Sequence, residues 1–199
     1  MSHLLILNAN PKQKSLNHQL ADAYEAGYEA GVAAAENRSE HDIRRFNLSE
    51  MSFDPSLNDG YEQIQPLEED LSRFLEALHW ADHLLIVAPV WWGGLPAKFK
   101  GLIDRTFLPG QTFKYESENP LPTPLLTGKT ARLVLTMDAP VEYAEVQAAP
   151  VLEQLNRFTL EFCGIENLPP LFIPGASFAD TEQIQRWFKM LEELGQRGQ

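Results

Sequence analysis

The sequence predicts an α/β protein, a single domain over residues 1–199 built on a doubly wound parallel sheet of five strands with helices on both faces. Three observations carry that prediction. Short apolar runs of strand length alternate with longer stretches of helical period, the pattern of βαβ units. The runs Leu4-Leu5-Ile6-Leu7 and Leu84-Leu85-Ile86-Val87-Ala88 are continuous rather than alternating, as strands covered on both faces must be. Finally, 199 residues at 44% hydrophobic and 22% charged suffice for one sizeable core and suit one compact domain better than two.

Leu4 to Leu7 forms the first strand. A helix follows from Asn17 to about Ala35, with Leu16, Leu20, Tyr24, Gly27 and Gly31 on one stripe, and its small residues imply close packing on the sheet. His41 to Leu48 reads as a more polar second strand near an edge, because Arg44 and Arg45 resist joint burial. The second helix has Pro66 in its first turn and Glu68, Glu69 and Asp70 at the positive end of its dipole. Its buried stripe is Leu67, Leu71, Phe74, Leu75 and Leu78.

His83 to Ala88 is the third strand, and Pro96 opens a third helix with the stripe Phe99, Leu102, Ile103, Thr106 and Phe107. Ala131 to Met137 makes the fourth strand. Val151, Leu155, Phe158 and Phe162 mark the fourth helix, with Gly164 as its C-terminal cap. Asn167 to Ile173 holds the fifth strand. Asp180 with Gln183 forms a capping box for a last helix whose stripe is Ile184, Trp187, Phe188, Leu191 and Leu194.

Charge and composition exclude several functions. A net charge of −12 repels nucleic-acid phosphates and anionic membrane surfaces. The longest apolar run, Leu84 to Trp92, is far below the roughly 20 residues of a membrane-spanning helix. With no signal-peptide pattern at the N-terminus, a cytoplasmic protein without membrane insertion is expected. The one cysteine, Cys163, sits in the apolar run FTLEFCGI and reads as a buried structural thiol. There is no metal-ligand spacing and no nucleophile elbow. The histidines at 3, 18, 41, 79 and 83 receive no catalytic role.

Doubly wound sheets bind ligands beyond the carboxyl ends of their strands, which directs attention to residues 8–17, 89–96 and 136–143. The first loop, NANPKQKSLN, lacks both GxGxxG and GxxxxGK[ST]. Ser15 and Asn17 instead stand where a loop meets a helix N-terminus, so hydroxyl, amide and free backbone N–H groups can converge on a phosphate. Lys12 and Lys14 offset the protein's own negative field. The plainer alternative, that Ser15 only caps the helix, stays open. The second loop, PVWWGGLP, sets aromatic planes beside glycines, which suits a flat ring approached closely by backbone amides; a flavin is such a ring. Its alternative is that Trp91 and Trp92 fill core or a subunit interface.

SLN with its helix, then PVWWGGLPAKFKGLIDRTFLPG, then TMDAP, resemble the flavin-dependent NAD(P)H:quinone oxidoreductases of the flavodoxin-like fold. The most specific part runs from Pro89 to Gly110. The resemblance implies the strand order 2-1-3-4-5, a bound FMN or FAD, NAD(P)H as co-substrate, a flat electron acceptor and a homodimer. It implies that Ser15, Leu16 and Asn17 hold the flavin phosphate with Asn10 nearby. It also implies that Pro89, Val90, Trp91, Trp92 and Gly93 run along the ring, and that Thr136, Met137, Asp138 and Ala139 close its pyrimidine side.

The chain departs from the family where many members carry a TTGG-like turn: here the residues are TMDA, and the following segment keeps Tyr143 but no histidine. A Tyr and His pair that stabilises charge on the reduced ring is therefore incomplete, leaving Tyr143 as the lone catalytic candidate or a surface tyrosine. The segment Pro109 to Gly128 is too long for an ordinary connection and is expected to shape the substrate site or meet a second subunit. Two alternatives to the enzyme are an acidic electron carrier and a regulatory subunit that keeps the flavin fold.

Overall fold

The computed structural model describes residues 3–34, 42–117 and 119–198. In chain order come β1 (His3–Asn8), α1 (Leu16–Ala34), β2 (Asp42–Asn47), α2 (Glu69–Trp80), β3 (His83–Pro89) and α3 (Ala97–Thr106). A hairpin of β4 (Phe113–Glu116) and β5 (Asn119–Pro124) leads to β6 (Thr130–Thr136) and α4 (Ala144–Leu152). Two short strands, β7 (Glu166–Asn167) and β8 (Leu171–Ile173), precede α5 (Thr181–Gln196). Ala35 and His41, assigned by sequence to the first helix and second strand, lie outside the described residues.

The main sheet runs β2-β1-β3-β6 with every pairing parallel. Its last position corrects the expected five-strand 2-1-3-4-5 arrangement: β7 and β8 share it, each pairing a different stretch of β6, so the sheet has six strands. Pro169 and Pro170 stand between the two. Neither has an N–H to donate, so a continuous ladder cannot pass through them. Arg132 of β6 spans the break by donating to the Pro169 carbonyl.

Alternation along β1 explains the two helical layers. Leu5 and Leu7 pack with Leu71, Phe74 and Leu78 of α2 and Phe99 of α3, while Leu4 and Ile6 pack with Leu20 and Tyr24 of α1 and Trp187 and Leu191 of α5. Each fully buried side chain of this size contributes about 1.5–3 kcal/mol. β2 is the edge strand, and its arginines stay paired: Arg45 donates to Asp22 and Glu25 of α1 at 2.6 and 2.7 Å, and Arg44 lies 4.3 Å over the Trp80 ring.

Gly27 and Gly31 face α5 rather than the sheet. A Cβ on Gly27 would sit 2.1 Å from the Glu192 carbonyl oxygen, and one on Gly195 would sit 2.2 Å from that of Tyr24. The two helix backbones touch there, which only glycine permits.

The fourth helix also differs from its expected stripe. Val151 and Leu155 are buried, but Phe158 is 63% exposed. Glu153–Leu160 is π-helical, so each turn takes more residues and the inward positions slip to Thr159, Leu160 and Cys163. Pro150 removes one ladder bond just before these wider turns begin. Gly164 ends the helix at φ 95°, the left-handed cap expected of it. Burial also pushes the Cys163 thiol pKa up, as befits a structural residue.

One buried polar group interrupts the apolar face under α1. His83 is fully buried, its Nδ1 lies 2.7 Å from the Thr130 hydroxyl, and its ring stacks at 6.4 Å on Tyr24. Burial, with the nearby Arg132 charge, pushes its pKa down to about 4.

Candidate functional site

Four loops at the carboxyl ends of β1, β3, β6 and β8 enclose one cavity of about 280 Å³. The first contributes Asn10, Lys12, Ser15, Leu16 and Asn17. Pro89, Val90 and Trp91 follow β3, Thr136, Met137 and Asp138 come from the end of β6, and Ala176 and Ser177 follow β8.

Hydrogen bonds orient the amides of the first loop. The Lys12 backbone N–H donates to Oδ1 of Asn10 at 3.0 Å, which leaves Nδ2 of Asn10 to donate to Oδ1 of Asn17 at 2.9 Å. The Thr136 hydroxyl donates to that same Oδ1 at 3.2 Å. Nδ2 of Asn17 is then left buried in the wall with no partner. An unpaired buried donor costs about 1–3 kcal/mol, so the position calls for an acceptor. Asn17 belongs to the first turn of α1, where free backbone N–H groups and the helix dipole attract an anion. The Ser15 oxygen accepts from the His18 N–H at 3.4 Å, so its own proton remains available to donate.

The turn after β3 is tight. Trp91 and Gly94 exchange both backbone bonds, at 2.9 and 2.8 Å, around Trp92 and Gly93 at φ 54° and 68°. Two successive left-handed residues make the hairpin turn that glycine and asparagine favour. Gly93 takes this conformation freely, whereas at Trp92 it costs on the order of 1 kcal/mol. Gly94 would tolerate a Cβ, whose nearest neighbour is 3.5 Å away. The turn brings Trp91 to the cavity and projects Trp92 wholly into solvent.

The loops after β6 and β8 are joined edge to edge. Met137 N–H donates to the Ile173 carbonyl, Ala176 N–H to that of Met137 and Gly175 N–H to that of Ala139, each at 3.0 Å. The Asp138 carboxylate accepts from the Ser177 N–H at 2.8 Å and from its hydroxyl at 3.0 Å.

Arg105 of the DRTF stretch has a structural purpose that sequence reasoning missed. Arg105 is buried and donates to the Pro66 carbonyl at 2.8 Å and to Glu68 at 2.7 Å, and also reaches the Asp54 carbonyl. It thereby ties the long β2–α2 connection to α3. Glu68, the N-cap of α2, makes no side-chain cap bond; its carboxylate holds Arg105 and the Asp54 N–H.

Among the residues expected at the site, Asn10, Ser15, Leu16, Asn17, Pro89, Val90, Trp91, Thr136, Met137 and Asp138 are brought together. Four do not line the cavity. Trp92 is in solvent, and Gly93 rides above Gln147 and Pro150. Ala139 anchors Gly175 through its carbonyl, and Tyr143 is 56% exposed in a short turn before α4. Ala176 and Ser177 were missed, although a fifth βα-loop at the same sheet edge was the available signal.

The 109–128 segment is the β4–β5 hairpin packed on the end of the fourth helix, with Phe113 edge-on to Phe162 at 5.0 Å. None of its described residues lines this cavity. Among the described residues, no cluster of three or more His, Cys, Asp or Glu could hold a metal, and no helix is long and apolar enough to cross a membrane.

A family model described as flavodoxin-like fold matches residues 2–196. The chain belongs to the flavodoxin-like fold family. An uncharacterized NAD(P)H oxidoreductase of Haemophilus influenzae is 30% identical over 176 residues, covering 84% of this flavodoxin-like chain and 81% of its own. An FMN-dependent NADH:quinone oxidoreductase of Hydrogenovibrio crunogenus is 28% identical, covering 71% and 68% of the two chains. Among solved structures, an NAD(P)H:quinone oxidoreductase from Methanothermobacter marburgensis superposes with TM-score 0.77 at 21% identity, over 100% of this chain and 99% of its own. The FMN complex of an FMN-dependent NADH-azoreductase from Bacillus anthracis gives 0.73 at 21% identity, over 99% of each. At that identity the solved structures speak to the flavodoxin-like fold alone.

Proposed function

We propose that this protein is an FMN-dependent oxidoreductase that takes hydride from NAD(P)H and delivers it to a quinone or a similarly flat electrophile. The unpaired Asn17 Nδ2, buried in the wall of a cavity at a helix N-terminus, carries the reading. It is a donor awaiting an anionic acceptor, and a flavin phosphate is one. The names of the relatives support FMN over FAD and a quinone-type acceptor.

The residues fit such a cofactor. Asn17, the Ser15 hydroxyl, the Leu16 backbone and Lys12 would hold the phosphate, with Asn10 fixing the Asn17 amide. Pro89, Val90 and Trp91 would run along the ring, with Trp92 and Gly93, which do not line the cavity, in the turn beside its rim. Thr136, Met137, Asp138 and Ala139 would close the pyrimidine side. When bound, the flavin supplies the two-electron chemistry, accepting hydride from one substrate and returning it to the next. The protein's own task is to bind, orient and exclude water, so it needs neither a metal nor an acid-base dyad. Tyr143, at the mouth of the fourth helix, is the side chain we assign to substrate contact.

A second copy of the chain is the partner we infer. Trp92, Val141, Tyr143 and Val146 are exposed near the turn that packs over α4, and a homodimer would cover them. We propose the cytoplasm as its compartment.

Flavin content of the purified protein and NADH or NADPH oxidation with a benzoquinone acceptor test the function together. A yellow protein with acceptor-dependent turnover is expected. Flavin-loaded protein without turnover would leave an electron carrier, and protein that cannot be loaded would overturn the flavin reading altogether. Light scattering on the eluting protein reads the mass, and a monomer would overturn the dimer.

A further inference from the structure

Groups of both signs line the cavity: Lys12, the α1 terminus and the free Asn17 N–H come from the first loop, and Asp138 comes from the wall that the loops after β6 and β8 build. Both Asp138 oxygens are already held by Ser177, one by the N–H at 2.8 Å and one by the hydroxyl at 3.0 Å. A carboxylate oxygen accepts twice, so each keeps a free acceptor position after Ser177 is served. A charged acceptor in a cavity wall favours a ligand edge that donates and opposes any build-up of negative charge on that edge.

We propose that Asp138, held in place by Ser177, accepts a hydrogen bond from the donating edge of the bound flavin ring and lowers its reduction potential. This inference rests on the flavin reading but concerns the ring, whereas that reading rests on the phosphate. The pyrimidine edge of a flavin has a single N–H between two carbonyls, so an acceptor-only group matches its centre. Reduction places negative charge toward the same edge, and a fixed carboxylate disfavours it. Ser177 is a positioning residue: it touches Asp138 from the last loop and supplies both tethers.

Asp138→Asn keeps the shape and one acceptor oxygen but removes the charge. It is expected to bind the reduced cofactor about tenfold more tightly relative to the oxidised form, which for a two-electron couple raises the midpoint potential by about 30 mV. Ser177→Ala removes one tether and is expected to shift the potential in the same direction by less.

The measurements are FMN affinity by fluorescence titration and midpoint potential by spectroelectrochemistry. Added salt should raise the wild-type potential toward that of the Asn variant, since screening weakens an exposed charge, and this reading needs no variant to fold. If wild type binds no FMN, the flavin reading fails and takes this inference with it. If wild type binds FMN but its potential ignores both salt and Asp138→Asn, this inference alone fails and the pair is only a clip between loops.

Discussion

Asn10 donates from Nδ2 to Oδ1 of Asn17 at 2.9 Å, and that bond turns the Asn17 amide so that its own nitrogen is left unpaired in the cavity wall. The orientation is inherited from the backbone, because the Lys12 N–H has already claimed the Asn10 oxygen. Asn17→Asp keeps an oxygen for Asn10 and Thr136 to donate to, but replaces the free donor with an anionic acceptor. Hydrogen bonds to charged groups contribute about 1.5–3 kcal/mol, so FMN affinity is expected to fall at least tenfold. Fluorescence titration reads this directly, and unchanged affinity would remove Asn17 from the phosphate site.

His83 makes stability depend on pH. Its pKa is about 4 in the folded protein against 6.5 ordinarily, so the unfolded chain takes up the proton first as pH falls. The contribution is complete above about pH 6.5 and is lost progressively toward pH 4, on the order of 3 kcal/mol in all. Urea denaturation at pH 7 and pH 4.5 should show a much smaller drop for His83→Gln than for wild type. Equal drops would show that other groups carry the acid sensitivity.

Arg105→Lys is expected to destabilise the fold by about 3 kcal/mol, because an ammonium cannot serve two carbonyls and a carboxylate in one plane. Glu68 is partly exposed and can rehydrate, which keeps the loss at the low end for a broken buried pair. Faster proteolysis between residues 57 and 65 than elsewhere would locate the damage in the connection that Arg105 ties down. Uniform susceptibility would argue for a global effect instead.

The tryptophans should separate by stability and by function. Trp187 is buried between α5 and the sheet, and Trp187→Ala is expected to cost about 3–5 kcal/mol. Trp92→Gly relieves a left-handed residue with no buried contacts in its own chain, so at concentrations where the chain is monomeric thermal melting should be unchanged or raised by up to about 1 kcal/mol of stability. Flavin binding or turnover, compared at matched stability, should suffer more from Trp92→Ala than from Trp187→Ala. The reverse order would remove Trp92 from the rim of the site.

Much of this protein was legible without coordinates, for reasons that are local. Apolar periodicity located the strands of the sheet and the faces of α2, α3 and α5, and the Asp180 carboxylate accepts from the Gln183 N–H at 2.8 Å, which is the N-cap half of the expected capping box, while the Gln183 side chain accepts from Arg186 instead. Ser15, Asn17 and Trp91 were found as site candidates because chain order in a doubly wound sheet dictates which loops share an edge, and Asp138 followed from the family resemblance.

What escaped depended on partners distant in sequence. The split of the last strand follows from two prolines meeting β6, and the slip of the Phe158 and Phe162 stripe follows from π-helical turns that no 3.6-residue period anticipates. Gly27 meets Glu192, Arg105 meets Glu68, and Ser177 meets Asp138 only after the chain has folded. The sequence by itself determined which elements form and at which edge a ligand can sit, because periodicity and connection order act along the chain. The tertiary structure alone decided which tryptophan reaches the cavity, which Asn17 atom is left free, and which serine holds the Asp138 carboxylate. Those outcomes turn on a left-handed turn and on hydrogen bonds competing across loops, and neither is written in spacing.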